Sequence, residues 1–285
     1  MNLKDILVLL DGGTASDGRL RLATNIARDQ HACLSAAFLQ HSQAPGYLFG
    51  LDVPRLELVG GLPALSAPDI PRSAALAEIA EQRFRDSLRS FRVKGDWYPL
   101  AHVDTAELIT LARAADLIIV GQINPDARQP VPAWKPEELV VSCGRPVLMV
   151  PYIGSYAEVG RRVLIAWDGS QEAARAINDA LPVISTAEVV TVMTVRARVK
   201  DLERHHRSLE RIVRHLTRHG IAVRTDQTLR GSNSIAEVLL SKASDLAVDL
   251  IVAGAYHHSP LREALTGGVS REMFQHMTVP VLMSH

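Results

Sequence analysis

The residues best suited to chemistry lie near the end of the chain. Asp249-Leu250-Ile251-Val252-Ala253-Gly254 is an apolar run that closes on a glycine, and His257 and Gly267-Gly268-Val269-Ser270 follow it. This reads as a buried strand, a glycine-punctuated loop and a short helix. A strand that runs through glycines into a helix N-terminus presents unpaired backbone N–H groups, and the helix dipole adds a preference for negative charge. The chemistry implied is capture of an anion by the backbone. Val279-Pro280-Val281-Leu282-Met283 then closes the unit as a second buried strand.

The elements that must position this loop occur twice. Arg162–Ser170 answers Lys4–Gly13, Ala115–Gly121 answers Val248–Gly254, and Arg145–Val150 answers Val279–Ser284. Asp11 and Asp168 are 157 residues apart, while the two later pairs are 133 and 134 apart. The first copy therefore carries an insertion of about two dozen residues, placed at 41–72, where Pro, Gly and Leu abound without a period. Two units too long for a solenoid repeat indicate a duplicated domain. The expected domains are 1–152 and 161–285, with a linker at 153–160.

Within each copy, short apolar runs alternate with helical periodicity. Ile6–Leu10 and Cys33–Leu39 flank Leu20, Leu22, Ala23, Ile26 and Ala27 at helical spacing, which is a β–α–β unit with parallel strands. Further helices are expected at 73–91, 105–114, 173–184, 202–219 and 234–243. Strands are expected at 97–101, 117–120, 147–150, 163–168, 189–195, 222–228 and 250–254.

Composition excludes several classes. Lys+Arg and Asp+Glu are equal at 31 each, so no net field draws the chain to nucleic acid or anionic lipid. The apolar run at the N-terminus is five residues long and ends in Asp11, unlike a secretory signal, and no run approaches the roughly 20 residues of a membrane span. Cys33 and Cys143, without CxxC spacing, read as two buried free thiols in a reducing compartment. The expectation is a cytosolic protein with neither nucleic-acid nor membrane partners.

The strand ending Trp167-Asp168-Gly169-Ser170, the Asp-Leu-Ile-Val-Ala-Gly strand four, the glycine loop and the final Pro-Val-Leu strand resemble the universal stress protein family in its tandem form. The resemblance covers nearly the whole chain and is weakest across 41–72. It implies two doubly wound α/β domains, each a five-stranded parallel sheet flanked by helices, paired about a pseudo-twofold axis. It also implies a non-enzymatic stress-response protein. Nucleotide-binding members hold ATP through G-x-x-G-x9-G-S/T after strand four. Carried onto this chain, that assigns Gly254, His257, Gly267, Gly268, Val269 and Ser270 to the phosphates and ribose, and Ala166, Asp168 and Val195 to the nucleoside end.

Two of these positions depart from the family pattern. His257 stands at a glycine, which costs roughly 1–2 kcal/mol if the backbone there is left-handed. Gly268 stands at a hydroxyl, whose bond to a charged phosphate contributes about 1.5–3 kcal/mol. The resemblance thus implies weak ATP or other adenine-nucleotide binding in the second copy, with complete loss as the alternative and an ATPase as the remote one. In the first copy Gly121 is followed by Gln122 and a proline-rich stretch through Pro136, which lacks the N–H donors a phosphate needs. No nucleotide site is expected there, and Asp11-Gly12-Gly13 reads as a turn.

Other constellations are weaker. His205-His206 and His215-x3-His219 lie on one helix, but its arginines disfavour a bound cation, so a solvated face is expected. Glu203 and Glu210 interrupt the arginine stripe on that helix, and no aromatic residues interleave it. Trp167 reads as core packing or as the wall of a pocket. A protein partner is expected to use the 41–72 insertion. Pairing of two halves within one chain leaves a monomer and a homodimer equally open.

Overall fold

In the computed structural model the chain is described at residues 2–13, 15–39, 70–100, 105–124, 136–255 and 268–285. The inserted stretch up to residue 69, His257, His258 and Gly267 lie outside the described residues. The first half runs β1 (Asp5–Leu10), α1 (Ala15–Gln30), β2 (Cys33–Leu39), α2 (Ile70–Phe91), β3 (Trp97–Leu100), α3 (Thr105–Arg113), β4 (Leu117–Gly121), α4 (Pro136–Ser142) and β5 (Val147–Val150). The second half runs β6 (Arg162–Ala166), α5 (Gln171–Ile184), β7 (Val189–Arg196), α6 (Val199–Arg218), β8 (Val223–Leu229), α7 (Ile235–Asp245), β9 (Leu250–Gly254), α8 (Gly268–His276) and β10 (Val281–Ser284).

Each half is a five-stranded parallel sheet of the same order, strand three, two, one, four, five. The two sheets join edge to edge, in the order β3-β2-β1-β4-β5-β10-β9-β6-β7-β8. The seam β5–β10 is antiparallel and pairs Leu148 with Leu282. These two leucines hold the same place in the two copies, so the pseudo-twofold passes through this pair. Any strand meeting its own duplicate across a twofold must run antiparallel to it. The continuous runs in β1, β4, β6 and β9 follow from burial on both faces. On one face the core includes Ile6, Leu148, Ile165, Val252 and Leu282; on the other it includes Leu7, Met149, Leu164, Ile251 and Val281. Both layers cross the seam.

A repeated aspartate sets the start of strand one. Asp116 Oδ2 accepts from the N–H groups of Lys4 and Asp5 at 2.8 and 3.1 Å. Asp249 accepts from Gly160, Arg161 and Arg162 at 2.8, 3.0 and 3.1 Å. The Asp of the Asp-Leu-Ile motif therefore works at the N-terminal edge of the sheet, where it satisfies backbone donors that no neighbouring strand reaches.

Several expectations need correction. The helix α4 was not expected, because the prolines before it obscure its period. Pro136 occupies its first position, where the missing N–H is one a helix leaves unpaired in any case. Cys143 is buried but Cys33 is exposed, since it opens β2 at the strand's N-terminal end. Residues 70–72, assigned to the insertion, already belong to α2. No helix among the described residues is long and apolar enough to cross a membrane.

The helix α7 is fixed by a full capping box. Ser234 Oγ accepts from the Glu237 N–H at 3.0 Å, and Glu237 Oε2 accepts from the Ser234 N–H at 2.8 Å. The same hydroxyl donates to Glu272 Oε1 of α8 at 2.6 Å. We expect Ser234→Ala to lower stability by about 1–2 kcal/mol in denaturant unfolding, and Ser234→Thr to lose much less.

Candidate functional site

The C-terminal ends of parallel strands are where open α/β sheets form ligand crevices. In the second half β6, β7 and β9 end around a cavity of about 830 Å³, closed on one side by α7 and α8. That is room for a drug-sized molecule. Its lining includes Ala166, Asp168, Val195, Gly254, Gly268, Val269 and Ser270. The structure thus brings together, on one wall system, seven positions scattered over more than a hundred residues of sequence. His257 and Gly267, assigned to the same site, lie outside the described residues.

Asp168 is held by its own turn. Its Oδ1 accepts from the Ser170 N–H at 2.9 Å, and Ser170 then caps α5 by accepting from Ala173 N–H at 3.1 Å. Its backbone carbonyl accepts from Arg196 Nη2 at 2.7 Å. Arg196 also lines the cavity, and its Nε is buried without a hydrogen-bond partner among the described residues. Sequence reasoning missed this arginine. Its place at the carboxyl end of a buried strand, next to Val195, was the available signal.

The remaining walls are apolar. Met193, Val195, Leu239 and Met273 supply a greasy surface, and Trp167 extends it while its Nε1 donates to Ser208 Oγ at 3.2 Å. Trp167 is therefore both core and pocket wall. At the other side α8 begins with Gly268, Val269 and Ser270, all three of which line the cavity. An apolar slot with a carboxylate and a guanidinium at one end and a helix N-terminus at the other suits a flat polar-edged ring joined to an anion.

Two glycines of the cavity wall differ in what packing asks of them. A Cβ on Gly254 would meet Ala173 N at 2.5 Å and the Glu172 carbonyl carbon at 2.7 Å. Gly254 is there so that the first turn of α5 can close onto β9, besides bordering the cavity. A Cβ on Gly268 would meet nothing within 4 Å. Packing does not require glycine at that position.

The first half builds the corresponding edge differently. Asp11 Oδ1 accepts from the Gly13 N–H at 2.9 Å and from Ser16 Oγ at 2.6 Å, which is the expected turn. Its Oδ2 pairs with Arg19 Nη2 at 3.0 Å. Arg19 is only 3% exposed, donates also to Ser16 Oγ, and lays its guanidinium against Gly121, the counterpart of Gly254. Burial pushes the Asp11 carboxyl up, but the Arg19 charge and the hydrogen bonds outweigh it and hold the group well below the usual carboxylate range. Ala176 stands in the second half where Arg19 stands in the first. The first copy supplies its own cation to the aspartate that the second copy leaves facing a cavity.

The described histidines of α6 lie apart from the cavity. His206 Nδ1 lies 3.4 Å from Glu210 Oε1 on the exposed side of α6, and His215 and His219 meet edge to face at 4.7 Å. Among the described residues no group of three or more His, Cys, Asp or Glu side chains is placed to hold a metal ion.

The universal stress protein family model matches residues 160–285. Over the whole chain the fold is similar to a universal stress protein from Archaeoglobus fulgidus DSM 4304, with a TM-score of 0.68, 15% identity, and coverage of 98% of this chain and 97% of that one. It is also similar to a putative universal stress protein from Pseudomonas aeruginosa UCBPP-PA14, with a TM-score of 0.62, 17% identity, and coverage of 99% and 93%. No curated protein matches the sequence. The second half, residues 160–285, thus matches the universal stress protein family's sequence model, and the first half repeats the same fold.

Proposed function

We propose that this chain is a stress-response protein that binds one adenine nucleotide, ATP among the candidates, in the cavity of its second half, and acts in the cytoplasm as a binding protein with no catalytic turnover. One observation carries the reading. Asp168, Val195, Gly254 and the start of α8 converge on a single cavity of about 830 Å³, apolar in the middle and polar at both ends. The base and ribose lie against Val195 and Asp168, and the phosphates lie toward the N-terminus of α8. In the first half the Asp11–Arg19 pair takes the equivalent carboxylate, which supports one ligand per chain.

Titration calorimetry with ATP is expected to give one site per chain. Gly268→Ser is the sharper test, because the position is sterically open and the substitution restores the family's hydroxyl. A hydrogen bond to a charged phosphate of about 1.5–3 kcal/mol tightens Kd by roughly one to two orders of magnitude. No heat at millimolar ATP for either protein sinks the reading. A second reading is an interaction protein that has lost its nucleotide and docks beside the 41–72 region. It is favoured by Leu76 and Ile79 of α2, which are 40% and 49% exposed. The same titration separates the two.

A further inference from the structure

The far end of α8 is not held by its own half alone. Gln122 follows β4 in the first half and is 9% exposed. Its side-chain Nε2 donates to the backbone carbonyl of Phe274 at 2.8 Å and to that of Gln275 at 3.2 Å. These are carbonyls of the last turn of α8, which a helix leaves without internal partners. Gln122 Oε1 in turn accepts from the Tyr152 N–H at 3.3 Å, where the chain leaves the first half. From the linker, Tyr156 Oη donates to the Thr278 carbonyl just past the helix at 2.7 Å. The counterpart of Gln122 in the second copy is Ala255, which has no group able to reach back in this way. The clamp is one-sided.

The opposite end of α8 borders the cavity through Gly268, Val269 and Ser270. A nine-residue helix is a rigid rod about 13 Å long, so an anchor at one end fixes the position of the other. We infer that Gln122 is a positioning residue for the ligand site. The first half sets the placement of the helix N-terminus that meets the ligand in the second half. This explains a duplicated chain in which one copy has given up its own aspartate to an internal arginine: that copy serves as a mount for the other. The inference rests on the nucleotide reading for its effect on affinity, though not for its effect on α8.

The test uses the full chain. Gln122→Met keeps the length and apolar bulk of the side chain while removing both donors. Amide hydrogen exchange in the absence of nucleotide is read at Glu272, Met273 and Phe274, whose N–H groups bond the carbonyls of the first turn of α8. We expect exchange there to accelerate about tenfold, with β6 and β7 unchanged, and the Kd for ATP to weaken about five- to tenfold. Acceleration confined to Gln275–Met277 overturns the inference, because the cap would then be local. So does an unaltered Kd in a variant whose parent binds ATP. If the parent binds no ATP, the nucleotide reading fails, while the exchange pattern still decides the coupling. Should Gln122→Met fail to fold, Tyr156→Phe removes the second anchor alone, and a smaller change at Glu272–Phe274 in the same direction is expected; no change there overturns the inference.

Discussion

Asparagine at position 11 is expected to destabilise the protein by about 3 kcal/mol, while asparagine at the equivalent position 168 leaves stability nearly unchanged and weakens nucleotide binding. The substitution keeps an oxygen acceptor, so the Asp11 turn to Gly13 and the Asp168 turn to Ser170 both survive. Only charge is lost. At position 11 that charge faces Arg19, which is 3% exposed and has a buried Nε without a partner among the described residues. Removing one member of a buried pair strands the other, a loss of roughly 3–5 kcal/mol, and the value here falls at the low end because Asp11 reaches solvent. At position 168 no arginine forms an ion pair among the described residues, so stability should move by less than about 0.5 kcal/mol. The loss appears in affinity instead, by roughly one to two orders of magnitude if the carboxylate bonds the ligand.

The pH dependence separates the two positions further. The folded protein holds the Asp11 carboxyl below its ordinary range, so its contribution is fully present above a pH of about 4. It is lost as pH falls through the folded value, where the carboxyl takes up a proton and resembles the amide. Denaturant unfolding at pH 7 and at about pH 3 should therefore show the gap between the parent and Asp11→Asn narrowing on acidification. A gap that is constant with pH would mean that the ion pair is not its source.

The second large effect is expected from Gly254→Ala. The added methyl meets backbone atoms of Ala173 and Glu172 at 2.5 and 2.7 Å, and backbone cannot swing aside as a side-chain tip can. Either α5 lifts from β9 or the strand bends, at a cost of about 1–3 kcal/mol in unfolding experiments. Lifting α5 also shifts its cap Ser170, whose N–H donates to Asp168, so ATP affinity should fall in the same variant. The control is Gly268→Ala, equally a loss of glycine, which meets nothing within 4 Å and should leave stability unchanged. Equal losses at the two positions would refute the packing role assigned to Gly254.

Much of the fold was legible in residues alone. The apolar runs at Ile6–Leu10, Leu117–Val120, Val163–Ile165 and Leu250–Val252 are buried strands because both faces of a parallel sheet are covered, and their repetition exposed the duplication. Of the residues that the resemblance assigns to a ligand, Ala166, Asp168, Val195, Gly254, Gly268, Val269 and Ser270 line one cavity. The helix α4 was not, because seven residues behind a proline-rich stretch are too few to show a period.

What the sequence by itself determined is local and periodic: which segments are strands or helices, that the unit occurs twice, and which family it resembles. What only the tertiary structure decided depends on contacts between distant residues. Arg19 looks like any surface residue of an amphipathic helix until β1 and β4 bring Asp11 and Gly121 against it. That the first turn of α5 lies on Gly254 is likewise visible only in three dimensions. Strand edges carry no sequence label for their neighbour, so the β5–β10 seam appears only in three dimensions. That seam is also what brings Gln122 of one half to the end of α8 in the other.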